Sequence, residues 1–268
     1  MTNNKLQPVQ KAKVIKLQKP SYLVTGEELL NSPITKMPCL WEPFFIQQGL
    51  ISLTGGSDVG KSSFLRQFAV SVVLKENSFL GSPLKVRYGR ALYLATEDSR
   101  ITVNYALQNS IDTNKIKPSQ LQGLCYLINP DNPFSAIEKE LKAAKTDIVI
   151  IDSFGDIANG NLNDNNIVRA TLQKLQRLSE KYDTLFIILH HTGKRTENNT
   201  PSKNNVIGSQ GFEAKMRLVM ELRKPDNSNR RDLHFTKGNY LSESIKSQAM
   251  QLYFDSKQQF CFVGSNSN

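Results

Sequence analysis

The sequence predicts an α/β domain built on a mostly parallel sheet, and three observations predict it. From Gly49 onward, apolar strand-like segments alternate with helical ones. The first such strand, Leu50–Thr54, runs directly into Gly55-Gly56-Ser57-Asp58-Val59-Gly60-Lys61-Ser62, which fits G-x-x-x-x-G-K-[ST] at every specified position. A later one, Ile148-Val149-Ile150-Ile151, has the continuous branched apolar run of a strand buried on both faces, and it ends in Asp152.

Taken in chain order, residues 1–20 carry Lys5, Lys11, Lys13, Lys16 and Lys19 and no acid. With few large apolar groups, they read as an interaction arm or a solvated tail. Residues 21–48 lead into the domain, with a short helix start at Thr25–Leu30 and an aromatic turn at Leu40–Phe45. The expected organisation is a basic arm and lead-in segment over 1–37, then one domain over 38–268. Candidate strands follow at Leu50–Thr54, Arg90–Ala95, Leu124–Ile128, Ile148–Ile151 and Leu185–Leu189. Four more, at Leu218–Leu222, Leu233–Thr236, Met250–Phe254 and Gln259–Val263, are joined by short polar links and read as an antiparallel C-terminal extension. The segment Ile167–Tyr182 places Val168, Leu172, Leu175 and Tyr182 on one helical face and Lys174, Arg177 and Lys181 off it, as a helix covering a sheet does.

The glycine loop carries the chemistry. Strand, loop and the helix beginning near Ser63 are the parts a nucleotide phosphate needs: backbone N–H groups form an anion nest, and the helix start adds its positive dipole end. The residues expected to bind the nucleotide are Gly55, Gly56, Ser57, Asp58, Val59, Gly60, Lys61, Ser62 and Ser63. Lys61 reaches the β- and γ-phosphates of ATP, and Ser62 holds Mg²⁺. Asp152, at the carboxyl end of its strand, where open α/β sheets place ligands, is the second metal-site candidate.

Two further strand ends point the same way. Arg90–Ala95 leads to Thr96-Glu97-Asp98. Hydrolysis needs a carboxylate beside the attacking water, and Ser153-Phe154 supply none after Asp152. Glu97 is the expected base, with Asp98 as the competitor or the cap of the next helix. Leu185–Leu189 leads to His190-His191, and His191, nearer the loop, is the candidate to touch the γ-phosphate.

Composition sets the partners. The 268 residues carry 34 Lys and Arg against 24 Asp and Glu, a net charge of +10. A basic balance favours polyanions, nucleic acid first. Cys39, Cys125 and Cys261 are odd in number and widely spaced, which suggests reduced thiols and a cytoplasmic protein. No apolar run reaches the ~18 residues a membrane span needs.

These motifs resemble the RecA-like P-loop ATPases, and within them the RepA-type hexameric replicative helicases of plasmids and mobile elements. The resemblance rests on Trp41-Glu42-Pro43, Gly55–Ser62, Leu92–Asp98, the strand ending at Asp152, Asp156–Asn166, His190-His191, Gly208-Ser209 and Lys237-Gly238-Asn239. It covers roughly residues 38–255 and implies a RecA-like core, ATP hydrolysis with Mg²⁺, a homo-oligomeric ring and single-stranded DNA. It implies that Lys237 reaches a neighbour's phosphate, with Arg217 a weaker candidate. Where such rings often have a second basic residue, this chain has Asn239. The resemblance also implies that Thr192–Val206, with Lys194, Arg195 and Lys203, lines the channel as the nucleic-acid contact; the loop Gly155–Asn166 has little positive charge. Neither loop carries aromatic residues in these stretches, which favours backbone tracking over base stacking. Three other readings stand beside a helicase: an ATP-dependent regulator or loader of a DNA-processing partner, a nucleotide switch without DNA, and a small-molecule kinase. Glu97 and the single-domain length argue against the kinase.

Overall fold

The computed structural model describes residues 23–31, 34, 36–158, 160–193, 200–205 and 210–267. The chain divides into two compact units, Met1–Met37 and Pro38–Asn268. The first holds helix α1 (Gly26–Leu30), whose start is a capping box: the Thr25 hydroxyl accepts from the Glu28 amide, and the Glu28 carboxylate accepts from the Thr25 amide.

In the second unit the elements run β1 (Cys39–Trp41), β2 (Phe45–Ile46), β3 (Gly49–Gly55), α2 (Lys61–Val73), β4 (Ser78–Phe79), β5 (Ser82–Pro83), β6 (Ala91–Ala95), α3 (Arg100–Asn109), β7 (Leu124–Ile128), α4 (Pro133–Ala143) and β8 (Ile148–Asp152). They continue as α5 (Phe154–Ile157), α6 (Asn165–Tyr182), β9 (Leu185–His191), α7 (Gln210–Lys215), β10 (Leu218–Arg223), β11 (Arg230–Gly238), α8 (Glu243–Lys246), β12 (Gln248–Phe254) and β13 (Phe260–Ser267).

Among the described residues, nine strands form the main sheet in the order β13-β12-β11-β10-β3-β9-β8-β6-β7. From β10 to β7 every pairing is parallel, and from β10 to β13 every pairing is antiparallel. This is the expected mostly parallel sheet with an antiparallel extension, with one correction. Leu218–Leu222 reads in the sequence as the start of the extension, yet β10 lies parallel to β3. The physical reason is the connection before it: α7 and its flanks supply the long crossover that a parallel return requires.

Side-chain alternation divides the core between the two sheet faces. Ile51, Leu53, Ile148, Ile150, Ile187 and Leu189 face α2, while Leu50, Val149, Ile151, Phe186 and Ile188 face α4, α5 and α6. Burial of both faces explains why these strands read as unbroken apolar runs. Helix α6 buries Val168, Leu172, Leu175 and Leu178 toward the sheet, in keeping with its sequence pattern. The aromatic turn is an anchor: Trp41 is fully buried, its indole N–H donates to the Phe79 carbonyl at 2.9 Å, and its ring packs on Phe44, Phe45, Phe64, Phe68 and Phe79. At the opposite end of the sheet from the glycine loop, the buried Asp147 carboxylate accepts from the backbone amides of Arg87, Tyr88, Gly89 and Arg90. That nest fixes where β6 and β8 begin.

Candidate functional site

The glycine loop bridges β3 and α2, and its shape needs the residues it has. Gly60 is the N-cap of α2 with φ of +100°, and a Cβ there would lie 2.9 Å from the Phe260 ring. At Gly55 a Cβ would lie 2.4 Å from the Leu222 carbonyl oxygen, so only glycine lets β3 leave the sheet beside β10. Gly60 brings no capping side chain to the start of α2, so the first-turn amides are turned toward the loop with no side chain of the cap in the way. Lys61 is buried, and its ammonium donates to the Gly56 carbonyl. Cation, amides and dipole thus converge on one spot, the requirement for holding a polyphosphate.

Asp152 borders this spot. It is 8% exposed, accepts from the Tyr93 hydroxyl at Oδ2 over 2.7 Å, and is hydrogen-bonded by Ser62. Burial pushes its carboxyl above the ordinary carboxylate range, the Tyr93 and Ser62 hydroxyls pull it back down, and the charges of Glu97 and Asp98 raise it further. Burial, and then the Asp152 charge, push Tyr93 well above the ordinary phenol value. Ser62 and Asp152 present a hydroxyl and a carboxylate to one point, a hard oxygen pair that fits Mg²⁺.

Glu97 and His191 close the site from the ends of β6 and β9. Their side chains are partly exposed, with His191 Nε2 and Glu97 Oε1 4.0 Å apart. Backbone bonds set the strand ends in place: Thr96 donates its amide to the Asp152 carbonyl, and Thr192 donates its amide to the Gly55 carbonyl. A cavity of about 460 Å³ results, lined by Ser57, Asp58, Gly60 to Ser63, Glu97, Asp152, Leu189, His191, Phe254 and Gln258. The fold therefore brings together most of the expected phosphate-loop residues with Asp152, Glu97 and His191. Asp98 does not line this cavity, nor does it cap the next helix. The cap of α3 is Ser99, whose hydroxyl accepts from the Thr102 amide. His190 points to the other face, packed between Phe154 and Phe212.

Two lining residues, Phe254 and Gln258, belong to the β12–β13 hairpin and escape the sequence reading. The Ser63 hydroxyl donates to Gln258 Oε1 at 3.1 Å, and the Phe260 amide donates to the Gln67 side chain at 2.7 Å. Phe254 and Phe260 pack on Gly60, and the Arg231 guanidinium, one strand inward, donates to the Val59 carbonyl at 2.9 Å. No local motif marks these contacts, which join residues almost two hundred positions apart.

The remaining expected residues lie elsewhere. Lys237 pairs with Val219, which is level with Ser52, three residues short of Gly55. Its ammonium donates to the Glu213 carbonyl at 2.8 Å and sits 3.1 Å from the Glu213 carboxylate. Lys203, expected to meet DNA, reaches the same carboxylate oxygen at 3.4 Å. Arg217 is exposed, immediately before β10. Lys194, Arg195, Gly208 and Ser209 lie outside the described residues.

A phosphate loop at the carboxyl end of a parallel sheet, faced by strand-end carboxylates, defines a P-loop ATPase with a RecA-like core. Residues 15–197 match the family model described as AAA domain, and the chain belongs to that family. A solved structure whose title describes an ATPase domain shares the fold, with a TM-score of 0.66 over 88% of this chain and 95% of that one, at 12% identity. No curated protein matches the chain.

Proposed function

We propose that this ATPase hydrolyses ATP with Mg²⁺, assembles as a hexameric ring, and translocates on or unwinds single-stranded DNA in replication or mobilisation of a plasmid or mobile element. The observation that carries the proposal is the convergence of Lys61, Ser62, Asp152, Glu97 and His191 on one cavity. In this reading residues 38–268 form the catalytic domain and residues 1–37 a basic arm, and the protein works in the cytoplasm. Among the described residues no helix is long and apolar enough to cross a membrane.

The roles follow from position. The amides from Gly55 to Ser63 hold the phosphates, and Lys61 neutralises charge on the β- and γ-phosphates. Mg²⁺, when bound through Ser62 and Asp152, supplies further neutralisation of the phosphate oxygens. Glu97 orients the attacking water and takes its proton as the new P–O bond forms. The bond from the γ-phosphorus to the β-phosphate oxygen breaks, and ADP leaves with that electron pair. His191, beside Glu97, contacts the γ-phosphate, and the segment it opens carries Lys194, Arg195 and Lys203 toward DNA. Lys237, set back from its own loop, acts on a neighbouring subunit's phosphate. The likeness in fold to the solved ATPase domain supports an ATPase core for this reading.

The test is ATP turnover with and without single-stranded DNA while mass in solution is recorded. Stimulation by DNA together with a ring-sized mass supports the reading. Turnover indifferent to DNA, in a monomer with no salt-sensitive DNA binding, leaves a nucleotide switch in its place.

A further inference from the structure

Behind the phosphate loop lies a second cavity of about 640 Å³, separate from the one that holds the catalytic carboxylates. The loop residues Gly56 to Val59 form one wall, and Glu221 to Pro225 at the end of β10 form another. Thr192 and Pro201, from the two stems of the segment that follows β9, and Asp232 and His234 of β11 complete it.

Glu221 is 2% exposed, level with Thr54 on β3 and with His234 on β11. A carboxylate that deep in a sheet is costly unless its oxygens are satisfied, and here each oxygen serves a different segment. Oε1 accepts from Arg223 Nε at 2.8 Å and from Arg223 Nη2. Oε2 accepts from the Ser202 amide at 3.1 Å and from Asn205 Nδ2 at 3.3 Å. Asn205, itself 5% exposed, accepts at its carbonyl from the Gly193 amide and donates from its side chain to the Thr200 carbonyl. Gly193 follows Thr192, whose amide is bonded to Gly55. A closed circuit results: Gly55 to Thr192 and Gly193, across to Asn205, down to Glu221, and back to β3 through the β10 pairing. Leu222, next to Glu221, presses its carbonyl against Gly55.

We propose that Glu221 is a positioning residue that couples the phosphate loop to the paired stems of the segment following β9. It acts through Ser202 and Asn205, not on the nucleotide. The DNA part of this inference rests on the function proposed above. A rigid, fully satisfied tether is what lets a change at the glycine loop move the stems as a unit. A merely apolar filler at position 221 would bury as well but would transmit nothing to Asn205.

The experiment uses the full chain as Glu221→Gln and, from the loop side, Asn205→Ala. Amide hydrogen exchange is followed in peptides covering 55–63 and 200–205, with and without a non-hydrolysable ATP analogue and Mg²⁺. Turnover is measured with and without an oligodeoxythymidylate. In the native protein the analogue slows exchange in both peptides. In either variant it still slows exchange at 55–63 but no longer at 200–205. Basal turnover stays within about twofold, and stimulation by DNA falls about fivefold or more. Native-like slowing at 200–205 in both variants, or no slowing there in the native protein, overturns the proposal. If DNA stimulates neither native protein nor variants, the DNA reading falls while the exchange results still decide the role of Glu221. Absence of protection at 55–63 in the native protein instead removes the ATPase assignment on which the circuit depends, and the proposal with it.

Discussion

The phosphate loop has two flanks, and they are built by different rules. On the β9–β8–β6 flank, each strand end delivers a chemical group, with His191, Asp152 and Glu97 standing beside Lys61 and Ser62. On the β10–β13 flank, among the described residues, no charged side chain lines the cavity these groups share, and Phe254 and Gln258 are what the flank contributes to it. Leu222 crowds Gly55, Arg231 holds Val59, Phe260 and Phe254 press on Gly60, and Gln258 receives Ser63. One flank supplies charge and the other supplies shape. Buried parallel strands explain the division, because their ends are the one place a polar group can sit beside a ligand without crossing the core. Shape can come from any surface that packs.

The largest expected effect breaks the chemical flank alone. Glu97→Gln leaves nucleotide binding intact and lowers turnover about a hundredfold or more, because an amide cannot accept the proton of water. Asp98→Asn, outside the cavity, leaves turnover near native. Steady-state turnover beside nucleotide titration separates the two, and the reverse pattern would reassign the base to Asp98.

Next comes the shape flank. Gly60→Ala puts a methyl 2.9 Å from the Phe260 ring at a φ of +100°. The strain and the displaced hairpin cost roughly 1–3 kcal/mol, so thermal unfolding shifts down and nucleotide affinity falls with it. Unchanged melting would mean that the hairpin yields freely and does not brace the loop.

The division also governs what the sequence discloses. Strand ends with Asp152, Glu97 and His191 are legible because each couples a continuous apolar run to an adjacent polar residue. The direction of β10 is not legible, since it is set by the connection through α7 and not by the strand's own residues. Helix α3 is expected only as the helix that follows Asp98, and its extent and inner face are not legible because Val103 is its one buried residue, too little for a stripe. Phe254 and Gln258 carry no signal at all: their partners at Gly60 and Ser63 are remote in sequence, and nothing near them in the chain needs a phosphate.

Asp152→Asn sharpens the comparison by showing what the chemical flank costs the fold. The native carboxyl is raised by burial above its unfolded value. A raised group binds protons more readily when folded, so its contribution to stability is complete below the unfolded value and is lost as pH rises through the folded one. Asparagine carries no such loss. In metal-free buffer the variant should therefore melt higher than native protein at pH 7, although turnover is abolished. The gap should close as pH falls below the ordinary Asp range. A variant that melts lower at every pH would show that the Tyr93 and Ser62 bonds outweigh desolvation.

The smallest effect tests a residue that belongs to neither flank. Lys203 is half-exposed and shares Glu213 with Lys237. Exposed ion pairs contribute about 0–1 kcal/mol, so Lys203→Ala should leave melting nearly unchanged. If the lysine also meets a DNA phosphate, log affinity plotted against log salt should lose about one unit of slope, with sequence preference unaltered. Turnover without DNA should not move, because Lys237 keeps its bonds to Glu213. A salt slope equal to the native one would confine Lys203 to its pairing with Glu213. It would also shift the expected DNA contact wholly onto Lys194 and Arg195, the two basic residues that directly follow the Thr192–Gly193 stem.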